Sequence, residues 1–225
     1  MSNSPSDLKI QLKRRISKAQ PAKVWTPADF FDLGNRDAVD KTLQRLATKG
    51  ELRRIDRGLY DLPRLNALSG KSAVPDYRSV IDAVGRRDQV RVLIDGMTAA
   101  NDLGLTNAVP GQVTVHTDGR LRPISLNKLV IRFKLTAPSK LYWAGRPAVR
   151  VVQALYWLRD GLKGGDQVDQ ARVRTKLSRL LWEPQHGRRI REDLSLGLRT
   201  VPVWMQQWIR ELLERPQRKS AEVNA

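Results

Sequence analysis

The chain has 225 residues, 40% of them hydrophobic, with 41 Lys and Arg against 23 Asp and Glu and hence a net charge of +18. That length accommodates one large domain or two small ones, and the charge attracts nucleic acid, an anionic membrane surface or an acidic partner. Cysteine is absent, which excludes a disulfide framework and a thiolate metal site. No apolar run approaches the roughly 18 residues of a membrane span, and the opening MSNSPSD lacks the basic-then-apolar order of a signal peptide. The expectation is a cytoplasmic protein with no membrane partner.

Met1 to Ser6 are expected to be disordered. Asp7 to Ala19 places Leu8, Leu12, Ile16 and Ala19 at helical spacing among lysines and arginines. Gln20 to Lys23 reads as a loop and Val24-Trp25 as a short entry strand. Thr26 then suits a helix N-cap, Pro27 the first helical position, and Asp29 the positive end of the helix. Gly34 is expected to take positive φ on leaving that helix, and Asn35 caps the next. From Arg36 to Lys49 the apolar residues Val39, Leu43, Leu46 and Ala47 form one stripe, and Gly50 ends the helix. Leu52, Ile55, Leu59 and Tyr60 predict two short strands joined at an Arg57-Gly58 turn.

With the apolar stripe inward, Asp37, Lys41, Gln44, Arg45 and Thr48 face outward, with Arg36 at the N-terminus. Arg pairs with guanine edges and Gln with adenine edges in the major groove. Arg53, Arg54 and Arg57 on the hairpin suit phosphates. A solvated charged face on a structural helical hairpin is the competing reading. The full order of Pro-started helix, Gly-Asn turn, basic helix, Gly cap and basic hairpin points instead to a winged helix-turn-helix, with double-stranded DNA as the partner.

Pro63 to Pro75 reads as a linker, dividing the chain into a DNA-binding domain at 1–66, a linker at 67–75 and a second domain at 76–225. Residues 70–72 spell Gly-Lys-Ser, but a phosphate loop needs glycine five positions earlier, where Leu65 stands. Beyond the linker the pattern predicts a helix at Asp76–Arg86, strands at Val90–Ile94, Gln112–His116 and Leu129–Leu135, and a short helix at Met97–Leu103. A further short strand is expected at Lys140–Trp143. Helices follow at Pro147–Asp160, Val168–Trp182 and Pro202–Leu213, with Gly161–Gly165 a loop. Trp204, Trp208 and Leu212 along one side of the last helix read at helical spacing as core or an interface rather than a base-stacking platform, and are the best candidate for an exposed patch that meets a protein partner. The fold class is therefore α+β: an N-terminal winged helix-turn-helix, then a mixed α/β domain with a C-terminal helical bundle. Residues 1–70 carry 14 basic and 8 acidic side chains, and the remainder 27 and 15. The second part is thus basic in its own right and offers either further phosphate contacts or a face for an acidic partner.

Chemistry of other kinds finds no support in the pattern. His116 and His186 have no neighbouring ligands at metal spacing. No serine sits in a nucleophile elbow, and no dinucleotide fingerprint occurs. No enzyme activity, cofactor, catalytic residue or metal is expected.

Two segments, LQRLATKGELRRIDRGLYDLP at Leu43–Pro63 and AANDLGLTNAVPGQVTVHTDGR at Ala99–Arg120, together with strand Leu129–Leu135 and the helix around VVQALYWL, resemble the AbiEi family of antitoxins from type IV toxin–antitoxin systems. The likeness runs from about Leu8 to Arg210. It implies a winged helix that binds operator repeats and represses its own operon. It also implies a C-terminal domain that neutralises a co-encoded nucleotidyltransferase-like toxin, without requiring a stable complex. Carried over by position, the DNA-reading segment is Arg36–Lys49 and the wing Arg53–Arg57. A winged-helix repressor that senses a small ligand, with no toxin partner, is the alternative.

Overall fold

The N-terminal core is built by three apolar stripes meeting in one place. Helix α1 (Pro5–Lys18) contributes Leu8, Leu12 and Ile16, strand β1 (Val24–Trp25) contributes Trp25, and helix α2 (Arg36–Thr48) contributes Val39, Leu43 and Leu46. Phe30, stacked on Trp25 at 5.0 Å, completes the cluster. These elements belong to a computed structural model that describes residues 5–19, 22–65, 70, 72–108, 111–165 and 167–214, and the chain is a mixed α+β protein with a helical C-terminal region. Met1–Ser4, the expected tail from Arg215, loop residues 20–21, linker residues 66–69 and 71, and 109–110 lie outside the described residues.

The chain forms two compact units, one of 1–92 with 111–141 and the other of 93–110 with 142–225. This is not the division at 67–75 that the sequence suggests. The described part of that segment is not a free linker. Leu65 and Ser72 form an antiparallel bridge, and the Ala73 N–H donates to the Arg64 carbonyl at 2.7 Å.

In the first unit, Pro27–Phe30 forms a 3₁₀ turn rather than an α-helix, with the Asp29 carboxylate accepting the Thr26 N–H at 2.7 Å and the Thr26 hydroxyl at 3.0 Å. Asn35 caps α2 by accepting the Ala38 N–H at 2.9 Å. The helix ends in a Schellman arrangement: Gly50 at φ +70°, its N–H on the Ala47 carbonyl and the Glu51 N–H on that of Leu46. Gly34 departs from expectation, since it is not among the positive-φ residues. A Cβ there would stand in ordinary contact with both Leu8 methyls, at 3.4 Å. Strands β2 (Arg53–Asp56) and β3 (Leu59–Asp61) form a hairpin that pairs with β1, giving the antiparallel order β1-β3-β2. Helix α3 (Tyr77–Asp88) follows, capped by Asp76.

Strand β4 (Val92–Ile94) is where the chain leaves this unit. It returns with β5 (Gln112–Thr117), β6 (Ile124–Leu126) and β7 (Leu129–Leu135). The central pair β5 and β7 is parallel, and β6 lies antiparallel to β7 on its other side. Strand β6 has no counterpart in the sequence reading. The expected strand at Lys140–Trp143 is instead a 3₁₀ turn, Pro138–Leu141, running into further turns.

The second unit is helical. Helix α4 (Gly96–Asp102), capped by Asp95 on the Thr98 N–H at 2.9 Å, packs on α5 (Val149–Trp157). Gly96 is required there, because a Cβ would come within 2.6 Å of the Gln153 carbonyl and 2.7 Å of the Trp157 Cβ. The single helix expected over Pro147–Asp160 is broken at Leu158, and α6 (Arg159–Gly164) occupies most of the expected loop. Then come α7 (Gln167–Leu181), α8 (Gly187–Gly197), which the sequence reading missed, and α9 (Val203–Leu213). The core side of α9 is Met205, Trp208, Ile209 and Leu212. Trp208 and Leu212 are therefore interior, as the core reading has it, while Trp204 is half-buried.

Candidate nucleic-acid interface

Burial of Val39, Thr42, Leu43 and Leu46 fixes the rotation of α2, and the outward residues follow from it. Arg36, Asp37, Lys41, Gln44, Arg45 and Thr48 are all exposed. Thr42 stays buried because its hydroxyl donates to the Ala38 carbonyl at 2.7 Å. Arg36 approaches Asp40 at 3.9 Å, a loose i,i+4 contact of little energetic weight. Thr48 directs its hydroxyl proton to the Gln44 carbonyl at 3.1 Å. Among the described residues, no carboxylate forms an ion pair with Lys41 or Arg45. The helix thus presents cations and one amide whose hydrogen-bonding capacity faces water.

The hairpin separates its three arginines. Arg54 and Arg57 are exposed and pair with no carboxylate among the described residues. Arg53 does not belong with them. Its Nε and Nη2 grip both oxygens of Asp61 at 2.9 and 2.5 Å, and its Nη1 reaches the Ala73 carbonyl at 2.6 Å. Asp61 is 5% exposed, so Arg53 neutralises a buried carboxylate and ties the hairpin to the following segment. As a phosphate-binding candidate it is corrected to a structural residue. The turn holds Gly58 at φ +68°, where L-residues are strained.

Arg87 was not found from the sequence. From the last turn of α3 its Nη1 donates to the Arg57 carbonyl at 2.5 Å and lies 3.5 Å from Asp56, while its Nη2 pairs with Asp88 at 2.7 Å. The Asp88 and Asp56 carboxylates hold this guanidinium above the ordinary arginine value against the burial that opposes it. Arg86 beside it donates to the Val24 carbonyl at 2.9 Å. The hairpin is therefore braced by α3. No local pattern signals this, since the partners are about 30 residues apart.

Charge follows the compact units more sharply than the halves of the sequence. The first unit holds 25 basic and 12 acidic residues, a net +13, and the second 16 and 11, a net +5. Neither histidine sits in a ligand cluster. His116 Nδ1 lies 3.0 Å from the Thr136 hydroxyl and His186 Nδ1 lies 3.4 Å from Glu183. Among the described residues no group of three His, Cys, Asp or Glu could hold a metal, and no helix is long and apolar enough to cross a membrane.

Residues 11–185 match a family described as a family of unknown function, DUF6088, and the chain belongs to that family. No curated protein matches it. Among solved structures it is similar to the RV2827C protein from Mycobacterium tuberculosis, at 16% identity and a TM-score of 0.39, over 96% of this chain and 80% of that one.

Proposed function

We propose that the protein is a DNA-binding antitoxin. In this reading α1, α2 and the β2–β3 hairpin form a winged helix-turn-helix, α2 enters the major groove, and Arg54 and Arg57 of the wing touch phosphates. The protein represses its own operon from the cytoplasm and counters a co-encoded nucleotidyltransferase-like toxin, acting by binding and without catalysis. The observation that carries the DNA-binding part is the exposed row Lys41, Gln44, Arg45, without carboxylate partners among the described residues and turned outward by a buried stripe. The toxin partner rests on the resemblance of the Ala99–Arg120 segment alone.

Gel shifts on operator and scrambled duplexes test the reading. Arg45→Ala and Gln44→Ala are expected to relax base preference, each by roughly 1–3 kcal/mol of discrimination, while Arg57→Ala weakens all sequences alike. Equal losses on both duplexes from Arg45→Ala would mean that α2 is not the reading helix. Expression of the neighbouring reading frame alone, and with this protein, tests the antitoxin half through cell survival.

A further inference from the structure

The second sheet of the first unit has a face that its core does not use. In the parallel pair, residues at the same level project to the same side. Val113 with Ile131 and Val115 with Phe133 take one side, and Thr114 with Arg132 and His116 with Lys134 take the other. Val113, Val115 and Ile131 are fully buried, whereas Arg132 and Lys134 are exposed. Ser125 of β6, level with Val130, adds an exposed hydroxyl to this polar side.

The segment 111–141 carries six basic residues, Arg120, Arg122, Lys128, Arg132, Lys134 and Lys140, and a single acidic one, Asp118. All six are exposed. Asp118 is already held by Arg91, whose Nε and N–H lie at 2.8 and 2.9 Å. Among the described residues no carboxylate pairs with any of the six, and Arg132 meets only the neutral Gln112, at 2.6 Å. Exposed cations in such excess over carboxylates gain from a bound polyanion.

Their place in the unit points to which polyanion. Arg87 holds the carbonyl of Arg57 in the hairpin turn, and four residues later Arg91 holds Asp118 and reaches the Pro138 carbonyl at 3.4 Å. Four residues span at most about 14 Å. One short segment thus ties the hairpin turn to the Asp118 loop that follows β5, and His116 and Lys134 lie near that end of the β5–β7 pair.

We propose that the Arg132–Lys134 face of the second sheet binds backbone phosphates and carries a duplex engaged by α2 and the hairpin onward across this unit. The inference rests on the DNA-binding reading. The polar face has no aromatic side chain of the kind that anchors protein interfaces or stacks on bases. Hydroxyls and cations suit phosphates, which space one charge per about 1.7 Å of duplex axis.

The test uses the full chain, a random-sequence duplex of about 30 base pairs and anisotropy titrations over a range of salt. For Arg132→Ala with Lys134→Ala, the slope of log K against log salt is expected to become shallower by about 1.8, or ~0.9 for each phosphate no longer neutralised. The unfolding midpoint should not move, and Arg132→Lys with Lys134→Arg should restore the slope. A full wild-type slope in the alanine variant overturns the inference and leaves the DNA reading standing. Failure of the wild type to bind any duplex overturns both. Loss of polyglutamate binding with an unchanged DNA slope makes this a face for an acidic protein, and also overturns the inference.

Discussion

One set of cations in the first unit and one set in the helical second unit are used in opposite ways. On α2, the hairpin and β7, the cations Lys41, Arg45, Arg54, Arg57, Arg132 and Lys134 stand exposed without carboxylate partners among the described residues. In the second unit many cations are committed to the fold. Arg146 pairs with Asp193 at 2.5 Å, Arg150 with Asp102 at 3.1 Å and Arg174 with Glu211. Arg172, Lys176 and Arg191 donate to the carbonyls of Leu105, Gly104 and Leu181. Arg191 also lies 4.1 Å over the Trp182 ring. A net charge therefore says little until each cation is assigned a partner: here one set satisfies backbone carbonyls and carboxylates, and the other has no carboxylate partner among the described residues.

The sharpest way to break this contrast is Asp193→Ala. That carboxylate, 6% exposed, also accepts the Ala148 N–H at 2.9 Å. Its loss leaves Arg146, 28% exposed, without its carboxylate and the buried Ala148 N–H without its acceptor, and a destabilisation of about 3–5 kcal/mol is expected by denaturant titration. A loss under about 1 kcal/mol would show that these internal pairs are ornamental and that the contrast is only one of geometry.

Within the hairpin the same contrast falls between two adjacent residues on opposite sides of one strand. Arg53→Ala is expected to cost roughly 2–3 kcal/mol by orphaning Asp61. Arg54→Ala should stay within about 0.5 kcal/mol while weakening DNA binding. If the two behave alike in thermal unfolding, the assignment of Arg53 to the fold is wrong. Next in size is Gly58→Val. Positive φ costs an L-residue about 1–2 kcal/mol, and its Cβ would sit 3.4 Å from the Arg87 Cδ. Duplex affinity should fall with stability, and an unchanged midpoint would mean that the turn readily adopts another conformation.

The smallest effect is a pH dependence. Hydrogen bonds from Lys13 and then Lys9 hold the Glu51 carboxyl below its ordinary value, at Nζ–O distances of 2.8 and 3.2 Å. A carboxyl with a depressed folded-state value binds its proton more readily unfolded. Its contribution is fully present above the ordinary carboxylate range and is lost as pH falls through the folded value. Glu51→Gln should flatten the acid limb of the stability profile slightly, by removing that pH-dependent contribution. The pair is surface-screened, so high salt should erase the difference.

Much of the N-terminal architecture was legible because its signals are local. Asn35 caps within three residues, Gly50 ends α2 in place, and the stripe Val39–Leu43–Leu46 fixes which side faces out. What could not be read depends on partners far along the chain. Arg53 looks like Arg54 until Asp61 and Ala73 are brought beside it. The break at Leu158 has no proline to announce it. Strand β6 is only three residues long and exists because Leu129–Leu135 is there to pair with it. The Trp208 stripe was periodic, but periodicity alone does not say whether an apolar side meets solvent or α7.

The first unit is closed by residues 111–141, after the chain has departed for residues 93–110. During synthesis, the ribosome must therefore add the 49 residues from 93 to 141 after the first stretch is complete. At ~5–20 residues per second that takes roughly 2–10 s, during which the unit lacks β5, β6 and β7. Nascent chains arrested before residue 111 would carry the α2 helix and its hairpin but lack the strands that complete the unit. A genetic truncation at 71 would cut this same unit from the opposite side.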